Sequence, residues 1–162
     1  MSSIAIRKAT SGDAHILYDM LRDKAELEGL SGEFSATPEK LERMFTKNNS
    51  TTLIAEYDSI PAGMANYHVE DSTFSGVSLI MLDDLYTMPK YGGLGIAKSL
   101  LRQVAREAIE QDYKVKIGPL ISNVRPLQWY QKLGARPVYD AKILRIDDVH
   151  SFLQSLGEKH AP

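Results

Sequence analysis

The sequence contains no cysteine and a single tryptophan, and no apolar run approaches the ~20 residues that a membrane span needs. Without cysteine there are no disulfides, no thiolate nucleophile and no cysteine-ligated zinc. His15, His68, His150 and His160 are scattered, with no pair at metal-ligand spacing, so they read as surface or satisfied core residues and no metal is expected. Basic residues are not in excess: the net charge is -2, and nucleic acid is not an expected partner. The first residues, Met1 to Arg7, lack the apolar core of a signal peptide. These absences predict a cytoplasmic protein with no membrane partner. What is present is ordinary globular stock, 43% apolar and 25% charged over 162 residues. That length suits one domain, taken as residues 1–162, with a core of its own.

The stretch from Leu82 to Leu101 organises the chain. Met81, Leu82, Leu85, Tyr86 and Met88 suit a mostly buried strand, which Pro89 ends because it has no N–H to give. Gly92, Gly93 and Gly95 allow a tight turn and close approach to a ligand. Ala97, Leu100, Leu101, Val104, Ala105 and Ala108 then fall on one face of a helix. Unpaired N–H groups and the helix dipole meet at that helix start, where a phosphate or pyrophosphate can bind. The alternative is a turn whose glycines serve packing alone. A Rossmann site is disfavoured, because the third glycine and the later acidic residue are missing. A Walker loop is excluded for want of Gly-Lys-Ser/Thr.

Around this stretch the spacing predicts a strand over 3–7 and a helix capped by Thr10, with Asp13 in its first turn. Ala14, Leu17, Leu21 and Ala25 mark its apolar face, and it ends near Gly29. Thr37-Pro38 opens a second helix, buried through Leu41, Met44 and Phe45 and stopped at Asn48. Residues 52–57 and 62–69 form a hairpin, residues 77–88 the central strand, and residues 113–121 a later strand. Asn123 caps a short helix ending at Gly134, residues 137–146 supply a last strand or two, and Asp147-Asp148 cap a final helix. The order βααβββαβαβα gives an α/β (α+β) fold, a mixed, mostly antiparallel sheet with helices on both faces.

Tyr91-Gly-Gly-Leu-Gly-Ile-Ala97 resembles the acyl-CoA loop of the GNAT superfamily of N-acetyltransferases. Leu82-Asp-Asp-Leu-Tyr-Thr-Met88 and the segment from Asn123 to Ala135 are most similar to the diamine acetyltransferases, those of spermidine/spermine and of thialysine. The resemblance implies a GNAT fold and acetyl-CoA as cosubstrate. It places the pyrophosphate on Gly93, Leu94, Gly95, Ile96, Ala97 and Lys98, and the pantetheine arm along Leu85, Tyr86 and Thr87 in the manner of an added strand. Asn123 to Pro126 would form the other wall of the slot. Tyr130 matches the tyrosine that protonates the departing thiolate, Asp83 the acid that holds the amine, and Glu28 a contact to a far amine. A homodimer is also implied. The chain departs from the family at Gly92, where Arg or Gln is usual, at Asp83, where Glu is usual, and at Pro126, one residue late. A lost cation beside the pyrophosphate is worth on the order of 1–2 kcal/mol.

The chemistry expected is acetyl transfer to a primary amine of a polyamine, a diamine or a lysine-like amino acid. An ammonium with a pKa of about 10.4 must first lose a proton. Asp83 is favoured to pass it out through a water, with Asp84 as runner-up, since only one of two successive strand residues faces a cleft unless the strand bulges. Each has a structural alternative: a salt-bridged pair at a sheet end for the aspartates, core packing for Tyr130, a solvated helix end for Glu28. A protein amine or an antibiotic as acceptor, or a non-catalytic CoA-binding domain, are the competing functional readings.

Overall fold

The computed structural model describes residues 2–120, 122–138 and 145–156. The chain divides into two compact units, Met1–Asn123 and Val124–Pro162.

In the first unit, strands β1 (Ile4–Lys8), β2 (Thr51–Tyr57), β3 (Ile60–Ser72), β4 (Val77–Thr87) and β5 (Lys114–Ile117) form one sheet in sequence order. Every neighbouring pair is antiparallel except β4 with β5. The exception follows from the connection: the long helix α3 (Ile96–Glu110) carries the chain back across the sheet before β5 begins.

Strand alternation divides the core in two. Leu53, Ala55, Ala65 and Leu82 pack under Ile96, Leu100, Val104 and Ala108 of α3. Ile54, Met64 and Tyr86, one step out of phase, pack under α1 (Ala14–Leu27) and α2 (Pro38–Lys47). Helices therefore cover both faces, as expected. On α3, Ala105 is exposed and Ile96 is buried, so the apolar stripe begins one residue earlier and misses Ala105. On α1, Met20 joins Ala14 and Leu17 as a buried residue, whereas Leu21 and Ala25 are only partly covered. On α2, Leu41 is buried but Met44 is half exposed.

The helix ends follow local chemistry. Asp13 accepts the Thr10 N–H at 2.8 Å in a single 3-10 turn that leads into α1. Thr37 Oγ1 accepts the Lys40 N–H at 3.2 Å, with Pro38 at the first helical position, and Asn48 ends α2 at φ 56°. The Arg7 guanidinium grips Asp13 at 2.8 Å and Glu56 at 2.7 Å, tying the start of α1 to β1 and β2.

The second unit contains α4 (Val124–Lys132) and α5 (Val149–Ser155). Gly134, at φ 102°, donates to the Gln131 carbonyl at 3.0 Å and closes α4. The Asp148 carboxylate accepts the Ser151 N–H at 2.9 Å at the start of α5. Of the strands expected over 137–146, residues 139–144 lie outside the described residues, and so does Ile121 of the expected 113–121 strand.

Candidate active site

The site is built from β4. Its ladder with β3 runs in register from Ser72↔Val77 to Tyr67↔Leu82, then resumes as Asn66↔Asp84 and continues to Gly63↔Thr87. Asp83 is the extra residue, a β-bulge. The bulge cancels one step of alternation. Leu82 and Leu85 both belong to the α3 side, while Asp84 pairs with Asn66 and Asp83 reaches His68, two residues of β3 that share the α1 side. Strand parity therefore does not separate Asp83 from Asp84, since both carboxylates stand on the same face.

On its other flank β4 pairs with β5 only from Leu79 to Leu82. Beyond Leu82 that flank, along Leu85, Tyr86 and Thr87, has no strand partner among the described residues. Thr87 Oγ1 and Tyr86 Oη are buried with no hydrogen-bond partner, and burial raises the Tyr86 pKa.

A 3-10 turn at Pro89–Tyr91 leads out of the strand. The Tyr91 ring stacks against Tyr57 at 5.7 Å, and Lys90 Nζ sits 4.8 Å from the same ring. Gly93 and Gly95 then take φ of 77° and 85°, where a side chain is strained, and a Cβ on either would meet nothing within 4 Å. The glycines thus supply the turn and leave open space over it. Gly92 has φ −58°, so conformation does not demand glycine there, although a Cβ would come to 3.2 Å from the Pro89 carbonyl oxygen. Ser99 N–H closes the first turn of α3 on the Gly95 carbonyl at 3.0 Å. The amides of Ile96, Ala97 and Lys98 precede that bond, where a helix offers no carbonyl. Leu94 N–H reaches the Tyr91 carbonyl only at 3.4 Å.

Gly63 explains how α3 starts so close to the sheet. A Cβ there would lie 2.5 Å from the Tyr86 carbonyl oxygen and 2.8 Å from Ile96 Cγ2. Nothing in the local sequence pattern singles out this glycine.

The polar groups cluster on the α1 side. Lys24 Nζ lies 2.9 Å from Glu28 and 3.2 Å from Asp84, which brings Glu28 and Asp84 around one ammonium. Asp83 meets His68 Nδ1 at 2.6 Å, and Lys116 pairs with Glu70 at 2.8 Å. Lys24 and His68 were not foreseen as site residues. Lys24 is one of several charges on an amphipathic helix, and His68 becomes visible only through strand register. Among the described residues no group of three or more His, Asp or Glu could hold a metal ion.

The remaining expected residues sit around α4. Asn123 donates its N–H to the Leu120 carbonyl at 3.0 Å just before the helix. Pro126 stands in the first turn, where a missing N–H costs nothing. Tyr130 is buried, its ring 5.1 Å from that of Trp129.

A strand flank with no neighbouring strand among the described residues, a positive-φ glycine turn and the start of a helix follow one another along the chain and offer a path for an extended, anion-bearing ligand. A family model described as acetyltransferase (GNAT) matches residues 15–135. The chain is 30% identical over 153 residues to the thialysine N-ε-acetyltransferase of Sus scrofa, covering 88% of this chain and 89% of that protein. In fold it is similar to a ribosomal-protein-alanine N-acetyltransferase from Brucella melitensis, with TM-score 0.75, 19% identity and coverage of 89% and 99%. It is similar also to an aminoglycoside N-acetyltransferase solved in complex with CoA, with TM-score 0.74, 14% identity and coverage of 91% and 97%.

Proposed function

The chain belongs to the acetyltransferase (GNAT) family and is an acetyl-CoA-dependent N-acetyltransferase, and we propose that its acceptor is the primary amine of a small molecule, the wider class to which polyamines, diamines and lysine-like amino acids belong. The family match runs across the boundary between the two units, which supports treating residues 1–162 as one acetyltransferase domain. A cytoplasmic homodimer that needs no metal completes the proposal; sedimentation would test the dimer.

The observation that carries the reading is the flank of β4 past Leu82, which has no strand partner among the described residues and runs into the glycine turn. Of the expected trio, Tyr86 turns its carbonyl toward Gly63 of β3, so by strand alternation Leu85 and Thr87 are the residues whose main-chain groups can hold an extended amide-bearing arm on the open flank. The orphaned Thr87 hydroxyl fits a ligand that brings its own polar atoms. Gly93, Leu94, Gly95, Ile96, Ala97 and Lys98 would hold the pyrophosphate through amides, and the family resemblance adds Asn123 and Pro126 as cosubstrate-binding residues. When bound, acetyl-CoA supplies an acetyl group activated as a thioester.

The acceptor needs a neutral nitrogen. Asp83 and Asp84 hold its ammonium, and a water bonded to Asp83 carries the proton away. The nitrogen would attack the carbonyl carbon of the bound thioester, and a backbone N–H freed by the Asp83 bulge would serve the oxyanion. As the C–S bond breaks, Tyr130 would give its proton to the leaving sulfur, and the proton that the nitrogen sheds as the amide forms would restore the tyrosine. A thiol with a pKa of about 8.5 asks little of the acid, so this reading relies on orientation along the strand more than on acid strength.

Isothermal titration with acetyl-CoA, followed by thiol release across a panel of amines, tests the reading. Binding with release on small amines is the expected result. Release only with protein lysines or aminoglycosides would move the acceptor class. Tyr130→Phe is expected to cut turnover about 100-fold while acetyl-CoA affinity stays within about two-fold; full activity at every pH would remove Tyr130 from the mechanism.

A further inference from the structure

Lys24 brings a positive charge to a place where a substrate's charge would be expected. Its Nζ lies between Glu28 Oε2 at 2.9 Å and Asp84 Oδ1 at 3.2 Å, and the three side chains are only 18%, 21% and 31% exposed. Two half-buried carboxylates around one ammonium are what a site offers to the far ammonium of a diamine. Here the chain supplies that ammonium itself. Burial disfavours the charge on Lys24, but Glu28 and Asp84 outweigh it and hold its pKa above the ordinary lysine value, so the group stays charged at neutral pH. Lys24, Glu28 and Asp84 line one cavity, and the only other carboxylate lining it among the described residues, Glu33, is exposed, where solvent screens it.

Asp84 also lines a second cavity of about 80 Å³, whose other walls include Leu17, Leu41, Met44, Phe45 and Met64. An aliphatic chain attached to a single ammonium matches that lining: the ammonium finds carboxylate at one end, the chain finds apolar walls beyond it. A second ammonium finds neither. It would have to enter the apolar cavity uncompensated or approach the Lys24 charge at close range.

We propose that Lys24 is a specificity-determining residue that fills the seat of a second substrate ammonium, so that the acceptor is an amine with one positive charge on an aliphatic chain rather than a diamine or polyamine. This rests on the reading that the Asp83–Asp84 end of β4 receives the acceptor. Lys24 touches the carboxylates and not the reacting atoms, so its effect falls on acceptor choice and leaves acetyl-CoA affinity alone.

The test compares butylamine with 1,4-diaminobutane in the wild type, Lys24→Met, Lys24→Gln and Lys24→Arg, by calorimetric binding and by thiol release. The wild type is expected to prefer butylamine in kcat/KM. Lys24→Met and Lys24→Gln are expected to bind the diamine about ten-fold more tightly and to shift the kcat/KM ratio about ten-fold in its favour, while Lys24→Arg keeps the wild-type ratio. A wild type that prefers the diamine overturns the proposal whether or not the variants fold. So does a folded Met or Gln variant whose diamine affinity does not rise. If diamine binding tightens in the variants but no amine is acetylated by any of them, the seat stands and the transferase assignment for small amines falls. If butylamine is acetylated and the ratio does not move, the reverse holds.

Discussion

The two ends of the β4 site recognise their ligands by different means. The glycine turn and the start of α3 work with main chain: amides, positive φ and open space above Gly93 and Gly95. The acceptor end works with side chains, Asp84 joined to Glu28 through Lys24 and Asp83 paired with His68. A main-chain site keeps its chemistry whatever the side chains are, provided the backbone conformation is allowed. A side-chain site can be retuned by one substitution without disturbing the fold. Cosubstrate recognition and acceptor choice are thereby separated along a single strand.

Substitutions can break or sharpen that contrast. The largest effect is expected at Gly63, where any Cβ overlaps the Tyr86 carbonyl oxygen and Ile96. Gly63→Ala should cost about 3 kcal/mol of stability, at the upper end of overpacking effects, and urea unfolding would show it. Both ends of the site should suffer together. Gly95→Val comes next. No atom blocks a side chain there, so the damage is conformational: forcing φ of 85° on a β-branched residue costs about 1–3 kcal/mol. Acetyl-CoA affinity should fall by about ten- to hundred-fold in calorimetry, with amine affinity unchanged; loss of both would erase the distinction between the ends.

Asp83→Asn should do the opposite. It keeps the bulge and removes a charge from the acceptor end, raising the amine KM about ten-fold or displacing the pH–rate profile, with acetyl-CoA titration unaffected. If neither moves, Asp84 is the relevant carboxylate. The smallest effect is expected at Asp13. Its hydrogen bonds to the Arg7 guanidinium hold its pKa at about 2, below the ordinary carboxyl value, so the ionised form favours the folded state. That contribution is complete above about pH 4 and disappears as the pH falls through about 2. Asp13→Asn should remove about 1 kcal/mol at neutral pH and flatten the acid limb of a stability curve. Because Asp13 anchors the helix that carries Lys24 and Glu28, any functional loss should fall on the acceptor end.

How much of this the sequence shows follows the same division. The glycine turn was legible because glycine spacing and a following amphipathic helix report backbone conformation directly. Tyr86 and Leu82 were legible as buried strand residues for the same reason. Asp83 and Asp84 were not separable, since strand parity assigns them opposite faces and the bulge that overrides parity arises from pairing with β3. Lys24 was hidden among the charges of α1; its role depends on Asp84, distant in sequence and adjacent only across the helix–sheet interface. Gly63 gave no signal because its constraint comes from Ile96, which arrives from a later element. Ala105 and Met44 show the limit of helical periodicity, which places a stripe but not its edges.

The half-paired β4 has a further consequence for handling the protein. Past Leu82 one flank of β4 has no strand partner among the described residues, and such a flank can recruit a like strand from another molecule. Concentrated solutions without coenzyme should therefore drift toward edge-to-edge association, and saturating coenzyme should suppress it by covering the sticky flank.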